Sequence, residues 1–207
     1  MLAGGDQASL AADIAGRGWG VRPDWLAAPL VAALADEARA LRAAGAFRAA
    51  GVGRERRRAP ELRGDELVWL EPATASAAQR AVLDRLEELR CELNRECLLG
   101  LFELEAHLAA YPPGAGYPTH LDRLRDDDAR VLSIVLYLNP GWRAQDGGAL
   151  RLYLEAAGRA PYADVAPVGG TLVAFLSDRF PHAVLPARRE RLSLTGWFRK
   201  RGMGNGG

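Results

Sequence analysis

A chain of 207 residues is long enough for one domain with a full core and short for two. Its 49% hydrophobic and 26% charged residues are ordinary for a folded globular protein, and 27 basic against 26 acidic residues leave a formal charge of only +1. That balance gives no global pull towards nucleic acid or a membrane surface, and no apolar run approaches the ~18 residues of a membrane span. The start, with Asp6 and Asp13 and no basic segment, does not read as a signal peptide, so a cytoplasmic location is the default expectation.

The first half reads as helical with interruptions. Ala8 to Ala15 forms a short helix stopped by Gly16, Gly18 and Gly20, and Val21 to Trp25 a brief extended piece. From Pro29 to Ala44 the apolar residues Leu30, Leu34, Ala38 and Leu41 recur along one helical face, with Pro29 suited to the first turn and Gly45 to the end. Ala50 to Asp65, rich in glycine and arginine, is expected to be an exposed, mobile loop between strands near Phe47 and Leu67–Trp69, either a solvated charge run or a flap over a substrate. Gln79 to Leu99 is a second strong helix with an apolar stripe of Val82, Leu83, Leu86, Leu89, Leu93 and Cys97. Cys91 and Cys97 fall within it at a spacing that shares no face, and read as ordinary reduced thiols.

After Gly100 the period changes to that of strands: Phe102, Leu104, Ala106, Leu108 and Ala110 alternate with a second set that contains His107 and Tyr111. Further strands are expected at Tyr117–His120, Val131–Leu138, Ala149–Leu154, Asp164–Pro167, Thr171–Phe175, His182–Leu185 and Arg191–Phe198, separated by turns rich in Pro, Gly, Asn and Asp. About eight such strands suggest a jelly roll with helices packed outside. The fold class is therefore α+β with a mainly β core. Residues 1–100 would supply helical support and the loop, 101–199 the core and 200–207 a frayed tail, in a single domain.

Within this core, His120, Asp122 and His182 supply two imidazoles and a carboxylate, the ligand set that holds a non-haem Fe(II) and leaves coordination positions open. On a strand, His120 and Asp122 point to one face while Leu121 points away. Arg191 lies on the next predicted strand, and its planar fork suits the distal carboxylate of a keto acid. Tyr137 ends the apolar run Val131–Leu138, where its hydroxyl can reach the same carboxylate; Ser133 and Val135 share its parity. His107 shares parity with Tyr111 and is either pocket lining or a surface residue.

The run Tyr111-Pro112-Pro113-Gly114-Ala115-Gly116-Tyr117-Pro118-Thr119-His120-Leu121-Asp122 resembles the active-site entry of the prolyl hydroxylase branch of 2-oxoglutarate/Fe(II) dioxygenases. The oxygen-sensing animal prolyl hydroxylases and their bacterial relatives are the nearer comparison. Tyr137-Leu138-Asn139 with Trp142, and Gly147 to Leu152, are similar to the family's central strands. Phe175, Ser177-Asp178-Arg179 and Pro181-His182 resemble its second-histidine block, and Arg191 with Thr195 and Trp197 its closing strand. Arg63-Gly64-Asp65 with Trp69 matches a segment beside the substrate entrance. The turn before His120 is one residue shorter than in the animal pattern, Arg123 to Arg130 is unusually charged, and the chain stops soon after Phe198; all three departures touch substrate-facing regions.

The resemblance implies a double-stranded β-helix with its N-terminal helices packed on one sheet. His120, Asp122 and His182 would hold the metal and, with Arg191, form the catalytic set. Arg191 and Tyr137 would bind 2-oxoglutarate, with Tyr111, Ser133, Leu150 and Trp197 around it, and Arg63, Asp65 and Trp69 would lie near the substrate. Fe(II), 2-oxoglutarate and O2 are the implied cofactors, with ascorbate as a stimulatory reductant. The implied reaction couples oxidative decarboxylation of 2-oxoglutarate to succinate with hydroxylation of a proline in a protein or peptide. Hydroxylation of a free amino acid or other small metabolite is the alternative, and a non-catalytic binding module a third. No nucleic-acid or membrane partner is expected, and the chain would be a monomer or weak dimer.

Overall fold

Helices form where the apolar period is continuous, and they stop where the backbone turns left-handed. Helix α1 (Leu10–Arg17) starts two residues later than the spacing alone suggests, because the Ser9 hydroxyl accepts from the Ala12 amide and fixes the N-terminus. Gly18, at φ 84°, ends it. Helix α2 (Ala28–Ala43) has Pro29 in its first turn, and α3 (Ala77–Cys97) is capped by the Ser76 hydroxyl on the Gln79 amide. Val82, Leu86, Leu89 and Leu93 of α3 are buried, as the stripe requires.

The computed structural model describes residues 9–52, 57–58, 64–123, 129–155 and 160–201. Among them the strands are β1 (Trp19–Arg22), β2 (Arg48–Ala49), β3 (Gly51–Val52), β4 (Arg57–Arg58), β5 (Glu66–Trp69), β6 (Leu101–Tyr111) and β7 (Tyr117–His120). They continue with β8 (Arg130–Tyr137), β9 (Leu150–Tyr153), β10 (Tyr162–Val165), β11 (Leu172–Leu176), β12 (His182–Val184) and β13 (Arg191–Lys200). A larger sheet has the order β1-β11-β8-β13-β6-β5-β2 and a smaller one β10-β9-β12-β7, with antiparallel pairing in both. The two sheets make a double-stranded β-helix, with the helices on the outer face of the larger one.

Side-chain alternation then divides the interior in two. Ala106, Leu108, Ala110, Leu132, Ile134, Leu136, Leu192, Leu194 and Phe198 point outwards and join α1, α2 and α3 in the main core. Ala109, Tyr111, Val135, Tyr137, Val173 and Phe175 point inwards and meet Leu150, Leu152 and Val184 of the smaller sheet. The second cluster is the floor and wall of the site.

Several local expectations are corrected. The extended piece expected at Val21–Trp25 is β1, two residues earlier, because Trp19 to Arg22 pair with Phe175 to Leu172 at the sheet edge. Inside the stretch expected as a loop, Gly51–Val52 pair with Arg57–Arg58 as β3 and β4, and Ala50 and Asp65 at its ends are buried. Residues 53–56 and 59–63 lie outside the described residues, as do 202–207 of the expected tail; Lys200 itself still pairs with Leu101. His107 is buried, which removes the surface reading.

Candidate active site

Strands β7 and β12 are neighbours, and His120 and His182 face each other in register. With Asp122 they bring three ligand atoms within 4.8 Å of one another. One carboxylate oxygen lies 3.6 Å from His120 Nε2 and the other 3.6 Å from His182 Nε2. Nδ1 of His120 lies 2.9 Å from the Pro118 carbonyl, and Nδ1 of His182 lies 3.1 Å from that of Phe180. A proton on Nδ1 satisfies each carbonyl and leaves the Nε2 lone pair for a metal, the usual way a protein fixes the tautomer of a ligating histidine. Burial pulls the His182 pKa down to about 4, against the opposing charge of Asp122, so the ring is neutral at pH 7 and needs no deprotonation.

Asp122 lies just past the end of β7, so strand pairing does not hold it as the H-x-D spacing suggests. A buried hydroxyl does: Ser133 Oγ on β8 donates to Asp122 Oδ2 at 2.7 Å and meets Ser177 Oγ at 2.9 Å. Burial pushes the Asp122 pKa up, but the two histidines and Ser133 outweigh it and hold the carboxyl below its usual range. Ser133, expected beside the cosubstrate, therefore spends its hydroxyl on Asp122, the carboxylate that would take the metal. Ser133→Ala is expected to weaken divalent-metal affinity about tenfold, with Ser177→Ala weaker in the same direction; anaerobic titration with Mn(II) measures both.

A second group on the inner face is built around Arg191, the first residue of β13, which is registered opposite Tyr111. The side chain is 1% exposed, and its Nε donates to the Gly148 carbonyl at 3.0 Å. Gly148 has φ 71°, and a Cβ there would come within 2.8 Å of Ala187 Cβ and 3.4 Å of Arg191 Cδ, so only glycine fits. The guanidinium carbon lies 5.3 Å from the ring centre of Tyr111 and 5.1 Å from that of Tyr137. Arg191 Nη2 and the Tyr137 hydroxyl are buried and have no hydrogen-bond partner among the described residues. Two orphaned donors beside a buried cation are costly in a closed interior; they are the donor set a carboxylate would complete. Burial also raises the Tyr137 phenol to about 12, against the pull of Arg191, so it keeps its proton at any ordinary pH.

Comparison with known proteins identifies this arrangement. Residues 106–199 match the 2OG-Fe(II) oxygenase superfamily. The crystal structure of a Pseudomonas putida prolyl-4-hydroxylase is 48% identical, with a TM-score of 0.82 over 93% of this chain and 98% of that one. A Trichoplax adhaerens prolyl hydroxylase, in complex with a hypoxia-inducible factor oxygen degradation domain peptide fragment, is 25% identical with a TM-score of 0.79. It matches over 92% of this chain and 87% of that one. The chain belongs to the prolyl hydroxylase branch of the 2-oxoglutarate/Fe(II) oxygenases. A hypoxia-inducible factor prolyl hydroxylase of Caenorhabditis elegans is 42% identical over 96 residues, which are 45% of this chain and 13% of that relative's length.

As a member of the 2-oxoglutarate/Fe(II) oxygenases the chain is a dioxygenase that uses Fe(II), 2-oxoglutarate and O2, and the donors present suit them. The His120, Asp122 and His182 atoms would take the metal, and Arg191 and Tyr137 carry the unmatched donors. Leu150 is buried on β9, opposite Tyr111 and Tyr137 in the inner cluster. Trp69, His107 and Trp197 form an aromatic wall on β5, β6 and β13, with His107 4.9 Å from Trp69 and 5.5 Å from Trp197. Asp65 is buried just before β5, while Arg63 falls outside the described residues. Pattern reading gave no role to Tyr117, whose ring stacks on His120 at 3.7 Å, or to Phe175, edge-on to His182 at 4.7 Å. Both lie in blocks that resemble the family, but only the register places them on His120 and His182.

Proposed function

We propose that this enzyme hydroxylates prolyl residues of a protein or peptide, with the whole chain acting as one catalytic unit. The observation that carries the reading is the buried pair of unmatched donors, Arg191 Nη2 and Tyr137 Oη, beside the inner cluster of Tyr111 and Leu150, together with the His120, Asp122 and His182 group that could hold a metal. That geometry suits a dicarboxylate held end-on, with one end at the metal and the other on Arg191 and Tyr137, and with Tyr111 and Leu150 on its flanks. When bound, the metal supplies the oxidant, generated as 2-oxoglutarate and O2 become succinate and CO2. The chain's own residues orient the dicarboxylate and keep water from the reacting carbon.

The substrate class rests on the likeness to the Pseudomonas putida prolyl-4-hydroxylase and on the aromatic wall. Trp197 adds a buried indole N–H without a partner among the described residues, a donor for an acceptor on an incoming chain. Trp69 and Asp65, at the start of the same wall, are the proposed substrate-side residues, together with Arg63. The test supplies Fe(II), 2-oxoglutarate and O2 with a library of proline-containing peptides, reading succinate and hydroxyproline together. Hydroxyproline in a peptide is expected. Turnover on free amino acids with no peptide modified would sink the peptide reading and favour a small-metabolite hydroxylase.

A further inference from the structure

Arg130, the first residue of β8, touches more of the site than its place at a strand end suggests. Its Nη1 donates to the backbone carbonyl of the metal ligand Asp122 at 3.3 Å. Its guanidinium carbon lies 3.5 Å from the ring centre of Trp197, a stacked contact. Its Nη2 lies 3.6 Å from Glu105 on β6, and Glu105 is also held by Arg199, which pairs in turn with Glu103. A ladder of alternating charge therefore runs along the inner face of the sheet and ends on the metal ligand. Asp122 needs such a tether, because it lies beyond β7 and the ladder hydrogen bonds stop before it.

We propose that Arg130 is a positioning residue that locks the Asp122 backbone to the Trp197 wall, and so fixes the metal centre relative to the substrate. Arginine is required because one planar group must donate at its edge and stack on an indole with its face. Lysine can reach the carbonyl but cannot stack. Ser133 orients the carboxylate of Asp122 and Arg130 its main chain, so the two act on different degrees of freedom of one ligand. The substrate half of this inference rests on the proposed peptide hydroxylation; the metal half does not.

The experiment measures Mn(II) affinity without oxygen or peptide, and separately the succinate formed per hydroxyl delivered to a peptide that turns over. Arg130→Met, which keeps apolar cover on Trp197 but loses the donor, is expected to weaken Mn(II) about tenfold. Arg130→Lys should recover most of that affinity, yet still form excess succinate per hydroxyl, because the wall is no longer stacked. Glu105→Gln, which loosens the anchor and keeps the donor, should fall between wild type and Arg130→Met and serves if that variant does not fold. Wild-type Mn(II) affinity in Arg130→Met, with only the melting temperature lowered, would overturn the metal half. A lysine variant fully coupled like the wild type would overturn the stacking half. If no peptide turns over, the Mn(II) result still decides the metal half.

Discussion

Arg191→Met raises the 2-oxoglutarate concentration for half-maximal succinate formation by about a hundredfold, while the unliganded protein is no less stable than wild type. The two parts of this expected result have one cause. Losing a desolvated, charge-assisted contact to a carboxylate costs about 3 kcal/mol, and each 1.4 kcal/mol is about tenfold. Without the dicarboxylate, however, Arg191 is a buried cation whose Nη2 has no acceptor, held through Nε on the Gly148 carbonyl. Replacing such a group by an apolar one of similar length is neutral or stabilising. Tyr137→Phe follows the same logic at smaller scale, with about a tenfold rise and no loss of unliganded stability, since it deletes a hydroxyl that has no partner. Thermal midpoints with and without 2-oxoglutarate, beside the kinetics, check both; unchanged half-saturation in Arg191→Met would remove Arg191 from the cosubstrate site. No pH effect from Tyr137 should complicate the measurement. Its phenol is raised by burial to about 12, so its contribution to stability is intact below the unfolded value of ~10 and is lost only as the pH climbs through the folded value.

His182→Ala is the second large effect: succinate formation falls by at least about a thousandfold, which corresponds to ~4 kcal/mol of transition-state stabilisation. The stabilisation of the fold by divalent metal disappears with it. His182 is 4% exposed, packed edge-on against Phe175 and registered opposite His120, so no neighbouring donor can replace its Nε2. The apo variant loses a further ~1–3 kcal/mol because a cavity opens beside Phe175. Far-ultraviolet circular dichroism separates that loss from misfolding. A metal-dependent rise in melting temperature that survives in His182→Ala would show that the ion sits elsewhere.

How much of this was legible in the residues depends on the range of the forces involved. His120, Asp122, His182 and Arg191 could be singled out because their chemistry is unusual and their strands are strongly periodic, so parity alone puts Tyr111, Val135 and Tyr137 on one inward face. Alternation on β6 likewise separated the helix-facing set around Leu108 from the pocket set around His107. What local pattern did not disclose is non-local. Ser133 shares that inward parity, but its hydrogen bond to Asp122 depends on how two segments of the chain come together. Arg130 fell inside a charged stretch, and nothing in its neighbours' identities foretells Trp197 across the sheet. Edge pairing with β11 placed β1, and β3 and β4 pair inside the stretch expected as a loop, because backbone hydrogen bonds follow register more than local composition.

The position of His120 has a mechanical consequence. Strand β7 is an edge strand of the smaller sheet; among the described residues it pairs only with β12, and it carries Pro118, which has no amide hydrogen to contribute. One candidate ligand, His120, thus sits on an edge strand and another, His182, on the strand inside it. An ion bridging the two histidines would therefore act as a removable crosslink, stitching a fraying edge to the interior whenever the metal is present. Loading the metal and closing the rim would then be one event, with the Tyr117 ring carried along on His120.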